Sequence, residues 1–250
     1  MELYLIRHGQ SYNNALLDEP VSRVHDPELT EIGKKQAQLL ADYLALSMDK
    51  LDVADQQDLP AASAYSEHYI SRFNKLYCSA MHRALQTAQP IAKVLQMNAH
   101  VWIDIHEHGG VYLENEGAVK TYGGLTRSQI TEQFPDYMLP DLITEDGWWL
   151  PTDEIEDLAS CQGRAIRVAE TLRRWATEPE TADDRVALVS HGTFIDSLIK
   201  AFTGNLPGRE FYYNHWNTAV TRIDFFTGIR EMRVRYINRV DHLTAELMTH

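Results

Sequence analysis

The chain has only two cysteines in 250 residues, Cys78 and Cys161. They fall in different predicted elements and match no zinc-ligand spacing, so neither a disulfide framework nor a cysteine metal site is expected. Long apolar runs are missing too: no stretch of about 18 apolar residues occurs, which argues against a membrane-spanning helix. Met1 leads directly into Glu2-Leu3-Tyr4, without the basic and apolar regions of a signal peptide. A cytoplasmic location is therefore expected. Positive charge is scarce: 23 Lys and Arg against 36 Asp and Glu leave a net charge of −13. That balance speaks against nucleic acid and anionic membrane as partners. It also sets a demand, because an anionic substrate then needs a local basic cluster that overrides the global field. Repeats, low-complexity tracts and linkers are absent. With 44% hydrophobic and 24% charged residues, the chain is expected to build one full core.

Apolar residues mark out alternating strands and helices. Leu3 to Ile6 has the length and residue types of a buried strand. Thr30 is placed to cap a helix running to about Leu46, with Ala37, Leu40, Ala41 and Leu44 on one face. Residues 49–71 are polar and read as an insertion. Lys75 to Cys78 is a second strand, followed by a helix with Ala84, Ala88, Ile91 and Leu95 on its apolar face. Pro90 inside that pattern is expected to kink or split it. His100 to Ile105 reads as a third strand. Residues 111–151 form a second insertion, rich in Gly and aromatics, in which Thr126 and Gln129 make a capping box. A long helix is expected from Asp153 to about Thr177, then a strand at Arg185 to Val189 and a helix from Thr193. Ala219 to Phe226 and Ile229 to Ile237 alternate around Thr227-Gly228, as a hairpin does. The expected class is a single α/β domain over 1–250, with a mostly parallel sheet and an antiparallel hairpin near one edge.

Three of these strands end in groups that are costly to bury unpaired: Arg7-His8-Gly9, His106-Glu107-His108 and Ser190-His191-Gly192. A fourth leads into a helix carrying His82 and Arg83 in its first turn. Ligands of open α/β sheets bind beyond the carboxyl ends of the strands. Helix starts after His8 and His191 add amide donors and positive dipole ends. A multiply charged oxyanion, most simply phosphate, is the ligand such a rim would hold. His106 and His108 suggest a metal pair, but no further ligand spacing accompanies them and no metal is expected. Trp148, Trp149 and Tyr122 fit a pocket wall or core packing equally well.

The order and content of these blocks resemble the histidine phosphatase superfamily, the phosphoglycerate mutase-like proteins. The resemblance rests on Leu5-Ile6-Arg7-His8-Gly9-Gln10-Ser11 with Asn14, on Leu29-Thr30-Glu31-Ile32-Gly33, and on Cys78 through Ala88. It continues in Glu107 ahead of Gly109-Gly110, in Val189-Ser190-His191-Gly192, and in Asn217-Thr218-Ala219-Val220. It implies a three-layer α/β/α sandwich and a phosphatase without metal or cofactor, acting on a small phosphorylated substrate. His8 would take the phosphoryl group, with Arg7, Arg83 and His191 around its oxygens. Asn14, Ser11, Gln10 and the backbone at Gly192 would help bind the substrate. Glu107 would serve as acid and then base. Mutases of the family carry a Tyr-Gly-x-Leu-Gln-Gly-like segment soon after the acid. Here Tyr122-Gly123-Gly124-Leu125 lacks the Gln-Gly continuation. Hydrolysis is thus favoured over mutase activity, and a catalytically inactive phospho-ligand binder is a third, weaker reading. Oligomeric state is not indicated.

Overall fold

In the computed structural model, alternation along β1 (Glu2–Arg7) sets the layers. Successive strand residues point to opposite faces, so Tyr4 and Ile6 join one apolar cluster while Leu3 and Leu5 join another. The structure describes residues 1–16, 23–55, 73–115, 117–149, 155–205, 208, 210–226 and 231–250. Beside β1 lies β6 (Arg185–Ser190), parallel and in register from Glu2 opposite Arg185 to Arg7 opposite Ser190. β2 (Lys75–Cys78) and β3 (Ala99–Val101) extend the parallel side. β7 (Val220–Phe226) runs antiparallel on the other side of β1, and β8 (Glu231–Arg239) closes the edge, giving the order β3-β2-β6-β1-β7-β8.

Helices cover both faces. α2 (Glu31–Asp55) and α3 (His82–Leu95) pack on the cluster containing Tyr4 and Ile6; α5 (Leu158–Trp175) and α6 (Gly192–Thr203) pack on that containing Leu3 and Leu5. A short α1 (Tyr12–Ala15) follows β1, and α4 (Arg127–Gln133) lies in the long segment after β3. Among the described residues no helix is long and apolar enough to cross a membrane. The expected α/β class, a mostly parallel central sheet with antiparallel strands at one edge, is the observed one. The Thr30 cap is present, its hydroxyl accepting from the Gly33 amide at 3.1 Å. The Thr126–Gln129 capping box closes in both directions.

Several boundaries differ from expectation, each for a physical reason. α2 runs on past Leu46 to Asp55, so residues 49–55 are helix rather than irregular insertion; 56–72 lie outside the described residues. Pro90 does not split α3, which is one helix. Pro90 shares its face with Gln86 and Gln89 on an open cleft, where water can serve the carbonyl a proline leaves undonated. The third strand stops at Val101. The chain then coils through a 3₁₀ turn, Ile103–Ile105, that buries Ile105 in the second cluster and carries the next residues across the strand ends. α5 begins at Leu158, not Asp153, because Asp157 caps it through the Ser160 amide at 2.7 Å. Residues 151–154 lie outside the described residues, as does the hairpin turn at 227–230. β4 (Tyr112–Asn115) and β5 (Ala118–Thr121) form an antiparallel pair that the sequence did not announce.

Two glycines weld the start of α2 to the loop after His8. A Cβ on Gly33 would stand 2.1 Å from the Gln10 carbonyl oxygen, and one on Gly9 would stand 2.6 Å from that of Gly33. Both collisions are with backbone, which cannot swing aside. Gly33→Ala is therefore expected to cost about 1–3 kcal/mol of stability through overpacking. Urea unfolding would measure it, and an unchanged midpoint would contradict the tight approach.

Candidate active site

β1 and β6 end side by side at the centre of the sheet. His8 donates its amide to the Ser190 carbonyl at 2.9 Å, and the rings of His8 and His191 stand 5.0 Å apart. His8 is 3% exposed and His191 fully buried. The carbonyls of Arg7 and His8 are held by the amide of Thr218, whose left-handed φ of 58° turns it toward them. Asn217 adds a bond from its side-chain amide to the His8 carbonyl at 3.0 Å. Thr87 on α3 takes the Gly9 amide at 3.0 Å. The loop bearing His8 is thereby fixed from three directions.

The bonding of the His8 ring settles its tautomer. Nδ1 lies 2.7 Å from the Gly9 carbonyl, which can only accept, so Nδ1 carries the proton. Arg83 Nε, which can only donate, points at Nε2 from 3.2 Å, so Nε2 carries the lone pair. Burial lowers the His8 pKa well below its ordinary 6.5, and the charges of Arg83 and Arg7 lower it further. The ring is thus held neutral, with Nε2 unprotonated.

Around it stand the other groups. Arg7 donates to the His215 carbonyl, while its buried Nε has no partner among the described residues. Arg83 pairs with Asp26 at 3.8 Å, and Asp26 also accepts from the His82 amide at 3.1 Å. Burial raises the Asp26 pKa, against the pull of Arg83. Both ring nitrogens of His191 are buried without a partner among the described residues, and burial followed by Arg83 lowers its pKa well below 6.5. Glu107 docks on the start of α6, where its carboxylate accepts from the amides of His108, Phe194 and Thr193 at 2.8, 3.0 and 3.2 Å. A cleft of about 530 Å³ joins Arg7, His8, Ser11, Asn14, Arg83 and Glu107.

The four predicted strand ends therefore meet on one rim. Ser11 caps α1, and Asn14 Oδ1 receives its amide at 3.1 Å, within the cleft lining. Gly192 opens α6 beside Arg7, where an added Cβ would stand 3.5 Å from Nε. Gln10 is not brought to the cleft: its side-chain oxygen accepts from the Thr30 hydroxyl at 2.7 Å. Trp148 and Trp149 pack on the His106 ring, at 5.5 and 4.9 Å, rather than lining the cleft; Tyr122 stacks on His25 at 4.0 Å. Among the described residues no three metal-ligating side chains come together. Asp26, paired with Arg83, and Arg23, on the cleft wall, carried no sequence signal, both being polar residues whose places are set by tertiary contacts.

The central strand ends of this α/β sheet thus present a neutral histidine close to two arginines, an arrangement suited to holding an oxyanion. The family model of the histidine phosphatase superfamily (branch 1) matches residues 3–54 and 55–238. The chain belongs to that superfamily. Among solved structures, a mycobacterial glucosyl-3-phosphoglycerate phosphatase complexed with VO3 is similar, with 22% identity, 95% of this chain and 98% of that one covered, and a TM-score of 0.55. A mutant phosphoserine phosphatase from Entamoeba histolytica in complex with phosphoserine is 21% identical over 97% of this chain and 99% of its own, with a TM-score of 0.56. Bacillus stearothermophilus YhfR is 20% identical over 96% and 98%, with a TM-score of 0.57. At these identities the likeness shows a shared fold. A search of curated proteins finds no match.

Proposed function

We propose that the protein is a metal-independent phosphatase that hydrolyses phosphate monoesters of small cytoplasmic compounds through a phosphohistidine on His8. The observation that carries this reading is the neutral His8 ring, with Nδ1–H tied to the Gly9 carbonyl and Nε2 directed into a cluster of buried cations. Nε2 attacks phosphorus as the ester P–O bond breaks, and the electron pair leaves with the alcohol oxygen. Glu107 gives that oxygen its proton. A water then attacks the phosphohistidine, losing a proton to Glu107, and His8 is regenerated with release of inorganic phosphate. Charge on the transferring phosphoryl is met by Arg7, Arg83, His191 and the backbone at Gly192, positioned before the substrate arrives. The two relatives named for their substrates act on glucosyl-3-phosphoglycerate and phosphoserine, which supports a small phosphorylated substrate here.

The test is phosphate release from p-nitrophenyl phosphate in excess EDTA, together with trapping of an acid-labile phosphoenzyme. Turnover with a trapped intermediate is expected. Absence of both overturns the reading, and conversion of 3-phosphoglycerate to 2-phosphoglycerate in its place would make the protein a mutase.

A further inference from the structure

Behind Glu107 lies a buried polar assembly that takes no part in the reaction as described. Arg164, on α5, is 3% exposed. Its guanidinium forks onto Glu156, Nε to Oε1 at 2.8 Å and Nη2 to Oε2 at 2.6 Å. Nη1 donates to two carbonyls of the turn that carries Glu107, those of Asp104 at 2.8 Å and His106 at 2.9 Å. The plane of the same group sits 4.6 Å from the centre of the Phe194 ring, and the Phe194 amide is one of the donors holding the Glu107 carboxylate.

The turn needs such support. Asp104 and Ile105 close a single 3₁₀ turn and residues 106–109 belong to neither helix nor sheet, so carbonyls buried here must find partners elsewhere. Arg164 takes those of Asp104 and His106, and the Ser190 hydroxyl takes that of Ile105 at 2.7 Å. The Glu107 carbonyl is bonded locally, by the Gly110 amide at 3.2 Å. A buried Arg–Glu pair is a weak stabiliser, which apolar residues of similar volume often equal. What distinguishes this pair is that one planar group fixes two carbonyls of the backbone leading into Glu107 and packs on the element that holds its carboxylate. Lysine, with a single point of donation, cannot reproduce the fork.

We propose that Arg164, braced by Glu156, is a positioning residue that sets the Glu107 carboxyl against the leaving oxygen. This inference rests on Glu107 being the acid of the proposed reaction. Misplacing a catalytic group by about 1 Å costs on the order of 10²-fold in rate. The loss should fall only where protonation of the leaving group matters, as with an alkyl ester, and spare p-nitrophenyl phosphate, whose leaving group departs as the anion.

The experiment compares kcat/KM for glycerol 3-phosphate and p-nitrophenyl phosphate, since this parameter reports steps through phosphoenzyme formation. Glu107→Gln is the reference and is expected to lose the alkyl ester selectively. Arg164→Lys should lose 10- to 100-fold on the alkyl ester, about what disturbed outer-shell partners cost elsewhere, and less than about threefold on the aryl ester. Adding Arg164→Lys to Glu107→Gln should cost the alkyl ester nothing more, because both act through one carboxyl. Equal losses on both esters, no loss on either, or additive losses in the double variant would overturn the proposal. If Glu107→Gln itself treats the two esters alike, the acid assignment fails first, and the positioning role with it. Circular dichroism establishes that each variant is folded. Should Arg164→Lys not fold, Glu156→Gln, which keeps the guanidinium and its carbonyl bonds, should show the same selectivity in smaller measure; equal loss on both esters there is likewise fatal.

Discussion

His8→Ala should lower turnover of any phosphate monoester by on the order of 10⁵-fold or more, as removal of a nucleophile does elsewhere. The trapped phosphoenzyme should vanish with it. The substitution leaves the backbone bonds of the loop in place, since the Thr218 amide and the Asn217 side chain hold main-chain carbonyls rather than the imidazole. Loss of activity would therefore report chemistry, and retained thermal unfolding would confirm it. His191 is the competing candidate, its ring centre only 5.0 Å away. It lacks the carbonyl partner that fixes the His8 tautomer, and with both its nitrogens unpartnered among the described residues its N–H is available as a donor to a phosphoryl oxygen. Label recovered on His191, or an active His8→Ala variant, would reverse the two roles.

What the sequence could disclose followed a consistent division. Leu3 to Ile6 is an uninterrupted apolar run because both faces of β1 are covered, and such runs announce a central strand. The rim was legible for a related reason: cations and imidazoles at the ends of apolar strands have no core to enter. β4 and β5 stayed hidden because Glu114, Asn115, Ala118 and Lys120 are exposed, so no apolar alternation marks them. The turn after Val101 was hidden by its own composition, since Trp102, Ile103 and Ile105 extend the strand-like pattern while the backbone coils. Asp26 and Arg164 were illegible for a deeper reason. A charged residue in a polar loop or a helix reads as solvated unless its partner is known, and each finds that partner only through the tertiary fold: Arg83, 57 positions on from Asp26 in the chain, and the Asp104 and His106 carbonyls for Arg164. Sequence thus exposed the groups on the rim better than those that hold them.

The same burial that keeps His8 neutral makes the fold acid-sensitive. Five buried or largely buried histidines are held below their ordinary 6.5: His8 and His191 at the site, His106 down to about 3, and His215 and His242 down to about 4. Desolvation is the first cause in every case; Arg83 is the second for His8 and His191, and Arg164 for His106. A base whose folded pKa is depressed gives stability that is complete above the unfolded value and is lost as pH falls toward the folded one. Each histidine withdraws about 1.4 kcal/mol per pH unit below 6.5 until its own folded pKa is reached. One unit down, at pH 5.5, the five together remove about 7 kcal/mol, comparable with the whole stability of an ordinary domain. Asp26 works in the opposite sense, because its raised pKa favours the folded form as acid is added, but it is one group against five. Urea unfolding at pH 7, 6, 5 and 4 should therefore show a midpoint that falls steadily below pH 6.5, with unfolding in buffer alone between about pH 4 and 5.5. His242→Gln, which removes one of the five from outside the catalytic cluster, should shallow that decline by about 1.4 kcal/mol per pH unit. A midpoint that stays level from pH 6.5 to 4.5 would mean that these imidazoles are not held neutral, and the lone pair assigned to His8 Nε2 would lose its electrostatic basis as well.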